Sequence, residues 1–527
     1  MVEQAGLDDL PMMNEHIVVI HGIGSQLLSE TIRVAARRFG EARMSSVLRS
    51  ICFAFAALSC GCTSLTEIRT HHGSGEDTPI IDALNPSNGC GNVGSTATTR
   101  ANSIEDYKDY WAGYTEFDDE GWLYNAGGQP SQMEVVQKRL KRELNDPVFA
   151  ETDFLIVAFV HGWHHNAHDN DCNVHEFRAM LKIANDQYAA ATRLDTKIRH
   201  RRIIGVYAAW RGESIDSEIL SVTTVIDRRN AAERVAKGDV RELFAQLRKL
   251  QIGESQKPNS RSDRMRTVVV GHSFGGLIAF HGLSPAVLNE LTLTKPEEGA
   301  AGCKPTISRP SAIILRKDRI EKSESLSLEH DKTPPVFPDM LILINPAFEA
   351  TRFEALHTLM KPSDGCRYPE DRPKVVVLTA DNDSATGPIF TLGRRVLTLL
   401  EAYPSDSESN VHAREKEANI HAIGFTDRYR THRLCLISDE NGTKRAVAVL
   451  TPPTQADWSE PDPYAPVWVV RAPKEIINGH NGFFFAARDP DMGKQEPYLL
   501  NWLVGLHLYG PGEDSPVMAP ANSCREQ

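Results

Sequence analysis

A chain of 527 residues with 41% hydrophobic content is long enough for one large domain with insertions or for two or three ordinary ones, each with a full core. Its net charge of −12, with no basic stripe interleaved with aromatics, argues against a nucleic-acid-binding surface. The short basic runs His200-Arg201-Arg202 and Arg228-Arg229 read as solvated faces or interface pairs.

Residues 1–43 hold a strand-like run at 16–20 followed by His21-Gly22-Ile23-Gly24. Alone this looks like the oxyanion loop of a hydrolase. Only a helical stretch at 30–43 follows it, which leaves no room for a complete fold, so the segment reads as a dispensable leader. Residues 44–62 have the layout of a secretory signal: Arg49, an apolar run at 51–58 too short to span a membrane, then small residues leading to Cys60 and Cys62. The Gly61-Cys62-Thr63-Ser64 ending fits a bacterial lipoprotein signal. The expectation is translation from Met44 and a cell-envelope protein, periplasmic or attached to the membrane through a lipidated Cys62, or Cys60; translation from Met1 would leave the chain cytoplasmic. Cleavage at Cys62 leaves Cys90, Cys172, Cys303, Cys366, Cys435 and Cys524, enough for three disulfides in any of 15 connectivities. Residues 63–104, rich in Gly, Ser, Thr and Asn, read as a linker.

The main domain is expected at 105–512. It opens on a predicted β-hairpin, Tyr110 to Phe117 and Gly121 to Tyr124 around an acidic turn, then a short helix at 135–144. Six apolar, β-branched runs follow at 154–160, 203–209, 268–270, 340–344, 375–378 and 467–470, spaced by helical patterns. Near-continuous hydrophobicity of this kind marks strands covered on both faces. Alternation with helices predicts an α/β fold with a mostly parallel, doubly wound sheet. Polar insertions at 292–338 and 404–466 interrupt it, the second with a strand pair near Leu434 and Ala446. Both are candidates for a lid or substrate-selecting cap. Residues 513–527 form a tail.

The chemistry centres on Gly271-His272-Ser273-Phe274-Gly275, which joins the strand at 268–270 to helix-forming residues. A serine at such an apex is strained and exposed, and flanking glycines let strand and helix approach. As a bare pattern it occurs by chance roughly 0.1 to 0.2 times in a chain of this length, so its context decides. A serine hydroxyl needs a base to take its proton, and the base needs an acid to fix its tautomer. Asp383, in the turn after the strand at 375–378, is the leading acid; Asp381 and Glu349 are alternatives. His480, in Asn478-Gly479-His480-Asn481-Gly482 between the last strand and a closing helix at 498–508, is the leading base; His432 is the fallback. The order Ser, Asp, His is that of the α/β-hydrolase arrangement. Oxyanion donors are expected from the Phe274 N–H and from Gly162 or Trp163, after the strand at 154–160; Trp163 is also a candidate pocket wall. The adjoining run from His164 to His175 is dense in His and Asp and includes Cys172. It matches no zinc spacing, and reads as a polar loop capping the next helix rather than a metal site. No cofactor is expected.

The blocks FVHGWHHNA at 159–167, VYAAWRGES at 206–214, RRNAAERVAKGDV at 228–240, GHSFGGL at 271–277, ILINPAFEATRF at 342–353 and ADNDSATGPIFTLGR at 380–394 resemble the DUF900-type esterase/lipase-like group of α/β-hydrolases. The resemblance covers about residues 105–510. It implies an α/β-hydrolase fold and matches Ser273, Asp383 and His480 to nucleophile, acid and base. The expected function is a serine hydrolase cleaving a small-molecule or lipid carboxylic ester through an acyl-enzyme. The alternatives are an amidase or thioesterase using the same triad, or a non-catalytic envelope binding protein.

Overall fold

The computed structural model describes residues 66–72, 102–107, 109–124, 130–212, 225–258, 260–293, 337–360, 372–398, 409–451, 465–483, 497–511 and 515–524. The leader at 1–43, the signal-like segment at 44–62, most of the insertion at 292–338, and Cys90, Cys303 and Cys366 lie outside the described residues.

Ten strands form one sheet. They are β1 (Ile104–Asp106), β2 (Trp111–Phe117), β3 (Asp153–Val160), β4 (Arg201–Trp210), β5 (Met265–His272), β6 (Met340–Ile344), β7 (Val375–Ala380), β8 (His432–Ser438), β9 (Lys444–Leu450) and β10 (Val467–Ala472). The spatial order is β1-β2-β4-β3-β5-β6-β7-β10-β8-β9. From β2 to β8 every neighbouring pair is parallel; only β1–β2 and β8–β9 are antiparallel. The protein is therefore mixed α/β with a mostly parallel central sheet. Parallel pairing needs crossovers, and the helices supply them. These are α1 (Gln132–Asn145), α2 (Cys172–Leu194), α3 (Val225–Val235), α4 (Val240–Gln256), α5 (Phe274–Leu293), α6 (Glu354–Met360), α7 (Phe390–Leu397), α8 (Ser409–Ile420) and α9 (Tyr498–Tyr509). Among the described residues no helix is long and apolar enough to cross a membrane.

Side chains alternate between two cores, as a period of two requires. On β3, Phe154, Ile156, Ala158 and Val160 face α1, α3, α4 and α5, while Leu155, Val157 and Phe159 face α2 and α9. The same alternation holds on β5, β6, β7 and β10. This burial on both sides is why those strands are legible as unbroken apolar runs.

Three edges depart from expectation. The predicted hairpin is reduced to one bridge, Phe117 to Leu123. β2 instead lies beside β4, because Trp111, Ala112 and Tyr114 are buried on both faces while Trp122 is exposed. Within the predicted linker, residues 66–72 are packed on the domain through a buried charge cluster. Glu105 accepts from Arg69 Nη1 at 2.7 Å, Arg178 Nε at 2.9 Å, and the Tyr107 and Tyr114 hydroxyls; the Ile68 and Arg69 N–H groups donate to the Glu116 carboxylate. The tail is likewise attached. Val517 O accepts from Ala448 N and from Trp502 Nε1, and Cys524 is disulfide-bonded to Cys435 on β8. Cys172 also carries a disulfide. Within the second insertion, β8 and β9 extend the sheet and α8 packs beside α7, so this part is built into the scaffold.

Glu105 carries the first testable consequence. Burial alone would raise its carboxyl pKa, but Arg178 and Arg69 outweigh burial and hold it well below its ordinary 4.5. A depressed carboxylate contributes stability that is complete above the unfolded value and is lost as pH falls toward the folded one. Glu105→Gln is expected to lower stability by about 3–5 kcal/mol near neutrality. Its deficit against wild type should shrink between pH 5 and pH 3, which urea unfolding at each pH measures.

Candidate active site

Because the central strands run parallel, their carboxyl ends share one edge. The loops after β3, β5, β6, β7 and β10 meet there, which is where open α/β sheets place ligands. Ser273 stands between β5 and α5 with φ +54°, the left-handed region that costs a side chain energy. Its N–H donates to Ile344 O at 3.0 Å, and its carbonyl accepts from Gly276 and Ala347. Two glycines make this turn possible. A Cβ on Gly275 would lie 2.1 Å from Val160 O, and one on Gly162 would lie 2.9 Å from Ser273 Cβ. The start of α5, the end of β5 and the loop after β3 thus approach closely.

His480 Nε2 lies 2.8 Å from Ser273 Oγ, and its Nδ1 lies 2.9 Å from Asp383 Oδ2. Asp383 is almost fully buried. It also accepts from the N–H groups of Ala385 and Thr386 and from the Thr386 hydroxyl. Burial pushes the Asp383 pKa up, but the hydrogen bond and charge of His480, with the Thr386 donors, bring it below the ordinary value. Asp383 therefore stays ionised against Nδ1, and Nε2 faces the serine hydroxyl.

The alternatives stand elsewhere. Asp381 pairs with Arg471 at 3.0 Å. Glu349 is enclosed by Arg229, Arg352 and Arg394. His432 is stacked on Trp468 with ring centroids 3.9 Å apart, and burial lowers its pKa to about 3.

The loop after β3 is fixed by His161. This ring is buried against Trp210; its Nε2 accepts from the Trp210 N–H at 3.0 Å, and its Nδ1 lies 2.9 Å from Gly162 O. Burial lowers its pKa to about 4, so it serves as a neutral bracket. Among the described residues, the backbone N–H groups of Trp163 and Phe274 have no acceptor. Phe274 opens α5, where the helix leaves its first N–H groups unpaired. The His-rich run beyond is occupied structurally: Asp171 caps α2 through the Asn173 N–H and holds His165, and Asp169 pairs with Arg178. Among the described residues no three His, Cys, Asp or Glu side chains form a group that could hold a metal ion.

Three residues that the sequence reading passed over hold the histidine loop. Asn345, fully buried at φ +43°, donates from Nδ2 to His480 O at 2.8 Å and Gly479 O at 3.1 Å. Its Oδ1 accepts from Ala380 N at 2.9 Å, at the end of the acid strand. His272 Nε2 lies 3.0 Å from the same His480 carbonyl. Asn382 Oδ1 accepts from the Gly479 N–H at 2.8 Å. The available signal was Asn345 directly after a strand and before Pro346, since Asn tolerates positive φ and bonds nearby backbone.

No family model matches the chain, and no curated protein matches it. Solved structures similar to it include phospholipase PlaB from Legionella pneumophila in complex with thio-NAD, at 13% identity and a TM-score of 0.23 over 68% of this chain and 60% of that one. An uncharacterized protein from Pseudomonas aeruginosa matches at 14% identity and a TM-score of 0.20, over 79% of this chain and 55% of that one. The chain thus spans less than two thirds of either structure. Neither superposition defines the fold, which rests on the sheet described above.

Asn345→Ala would leave the Gly479 carbonyl and the buried Ala380 N–H without their side-chain partner, while His480 O keeps its contact with His272 Nε2. At about 1 kcal/mol for each group left unpaired, urea unfolding should show a loss of roughly 2 kcal/mol. A variant as stable as wild type would mean that this bracket is not held in solution.

Proposed function

We propose that the chain is a serine hydrolase of the α/β-hydrolase fold that cleaves a carboxylic ester through an acyl-enzyme. The observation that carries this reading is the continuous hydrogen-bonded series Ser273 Oγ, His480 Nε2, His480 Nδ1, Asp383 Oδ2. Support comes also from position: acid, base and serine stand at the carboxyl ends of β7, β10 and β5 in the order this fold uses. The resemblance to DUF900-type hydrolases agrees with that order.

In the proposed mechanism His480 takes the Ser273 proton as the hydroxyl attacks the ester carbonyl, and Asp383 stabilises the imidazolium that forms. The developing oxyanion is met by the N–H of Phe274 and by the Gly162-Trp163 loop, whose donors are placed before the charge appears. His480 then protonates the departing alcohol. Water, deprotonated by the same histidine, releases the acid and restores Ser273. Trp163, packed on the core beside this loop, forms one wall of the substrate pocket. A lipid ester is the substrate class that fits the expected envelope setting.

A fluorophosphonate probe should label the wild-type chain and not Ser273→Ala. Asp383→Asn should cut ester turnover about 10³–10⁴-fold by presenting the wrong histidine tautomer. Equal labelling of wild type and Ser273→Ala would remove the assignment of the nucleophile.

The envelope placement is a separate proposal, resting on residues 44–62. In a bacterial host, radiolabelled palmitate should enter the chain and be lost on Cys62→Ser, or on Cys60→Ser if that residue is modified. Incorporation that survives both substitutions would defeat lipid anchoring.

A further inference from the structure

The two faces of the sheet are not packed alike. On the side of α4 and α5, Ile156, Val269, Leu341 and Leu343 are 0% exposed. Opposite them, Leu155 keeps 4%, Val157 6%, Val268 6%, Val270 3% and Ile342 3%. These traces of exposure line one feature, a cavity of ≈ 60 Å³ between the strands β3, β5 and β6 and the helices α2 and α9. One water needs on the order of 10–15 Å³, so the cavity is several times larger than a packing flaw. Its walls are apolar side chains such as Val157, Ile342, Met180 and Leu503. Water in such a space would find almost no partners, and apolar cavities of this kind stay dry and take apolar ligands.

We propose that this slot binds an extended alkyl chain of a lipid. Four observations converge on that ligand. The slot follows β6 from Met340 to Ile344, about 13 Å at roughly 3.3 Å per residue, which suits a linear chain and not a compact ring. Its upper end lies toward the candidate active site: Phe483 lines it, follows His480 by three residues, and packs against His272 with ring centroids 4.4 Å apart in a tilted arrangement. Val270 at that end lies three residues before Ser273, and Ile344 beside it accepts the Ser273 N–H through its carbonyl. Its walls can yield, because Met180 and the leucines of α9 are flexible side chains rather than backbone.

The lower end supplies the single polar feature. Tyr188 Oη and His507 Nδ1 share a hydrogen bond, and His507 Nε2 is buried without a partner. Burial, with Arg266, Arg372 and Arg201 nearby, keeps His507 neutral. If Tyr188 donates, Nε2 carries a proton that a ligand acceptor can satisfy. An alkyl chain can enter in two ways, as the acyl part of an ester held at Ser273 or as a free fatty acid with its carboxylate toward His507. The binding site does not depend on the hydrolase reading; only the first source of the chain rests on it.

Dodecanoate titrated calorimetrically into the full-length wild type and Ser273→Ala should bind both equally, one per chain. Ala184→Leu and Val504→Phe fill the slot from α2 and α9 respectively, and each should weaken binding at least tenfold while circular dichroism stays native. Two such variants keep the test open if one misfolds. If the ratio of p-nitrophenyl dodecanoate to p-nitrophenyl acetate turnover also falls tenfold in them, the chain is the acyl group of the substrate. If binding falls and that ratio does not, the slot holds free fatty acid. Absence of saturable binding, or equal binding by the filled variants, would overturn the proposal. Dodecanoate binding by a chain that never labels with fluorophosphonate would count against the hydrolase reading alone.

Discussion

The site depends on a backbone-to-backbone contact at the carboxyl ends of β3 and β5. Gly275 lies so close to the carbonyls of Val160 and His161 that no side chain fits between them, and a Cβ on Gly162 would crowd Ser273 Cβ at 2.9 Å and His272 O at 3.2 Å. Because strand, turn and loop touch without intervening side chains, the serine's position is set by main-chain geometry. Side-chain rotamers, which can hop, have little influence on it. The positive φ at Ser273 is affordable only because hydrogen bonds to Ile344 and from Ala347 lock the turn on both sides. Parallel pairing then brings the ends of β6, β7 and β10 alongside, so the loops carrying Asp383 and His480 need only short spans to reach the same point.

Charge pairing sets Asp383 apart from the other two candidate carboxylates, which are paired with arginine: Asp381 with Arg471, and Glu349 with three guanidinium groups. Asp383 pairs with His480 among the described residues. Its other partners are N–H and O–H donors, which hold the carboxylate ionised without cancelling its charge. A carboxylate already satisfied by arginine would do little for an imidazolium. The same logic separates the histidines. His161, His272 and His432 are buried, and burial lowers each of their pKa values, whereas the His480 side chain keeps 22% exposure.

The parts of this arrangement legible in the sequence are those encoded by local pattern. Six apolar runs fall within strands β3, β4, β5, β6, β7 and β10, because burial on both faces leaves an unmistakable composition. Ser273, Asp383 and His480 stand where strand-end position and chain order put them, and the structure brings all three together. What was hidden is non-local. Arg69, in a tract that reads as polar linker, is fully buried because Glu105, 36 residues later, needs a cation. The arm at Trp111–Phe117 looks like a hairpin strand, yet its pairing is decided by β4, almost a hundred residues away. Asn345 holds the histidine loop across 135 residues of chain, and no spacing rule reaches that far.

The unequal packing of the two faces follows from how the helices are attached. α5 grows directly out of the Ser273 turn, so its register on β5 is fixed by the same glycine contacts that place Ser273, and Ile156, Val269, Leu341 and Leu343 on that face are 0% exposed. Among the described residues, α2 and α9 have no such glycine contact with β3, β5 or β6, and α2 begins a loop away from β3. They meet each other and the sheet through side chains alone, with Tyr188 and His507 joining them at one end. Side-chain packing without a backbone clamp tolerates a gap, and a gap between two helices over a parallel sheet takes the direction of the strands. The alignment that directs the strand ends toward Ser273 therefore also aims the long axis of the slot at the same edge. A linear apolar chain is the shape that such a gap can hold.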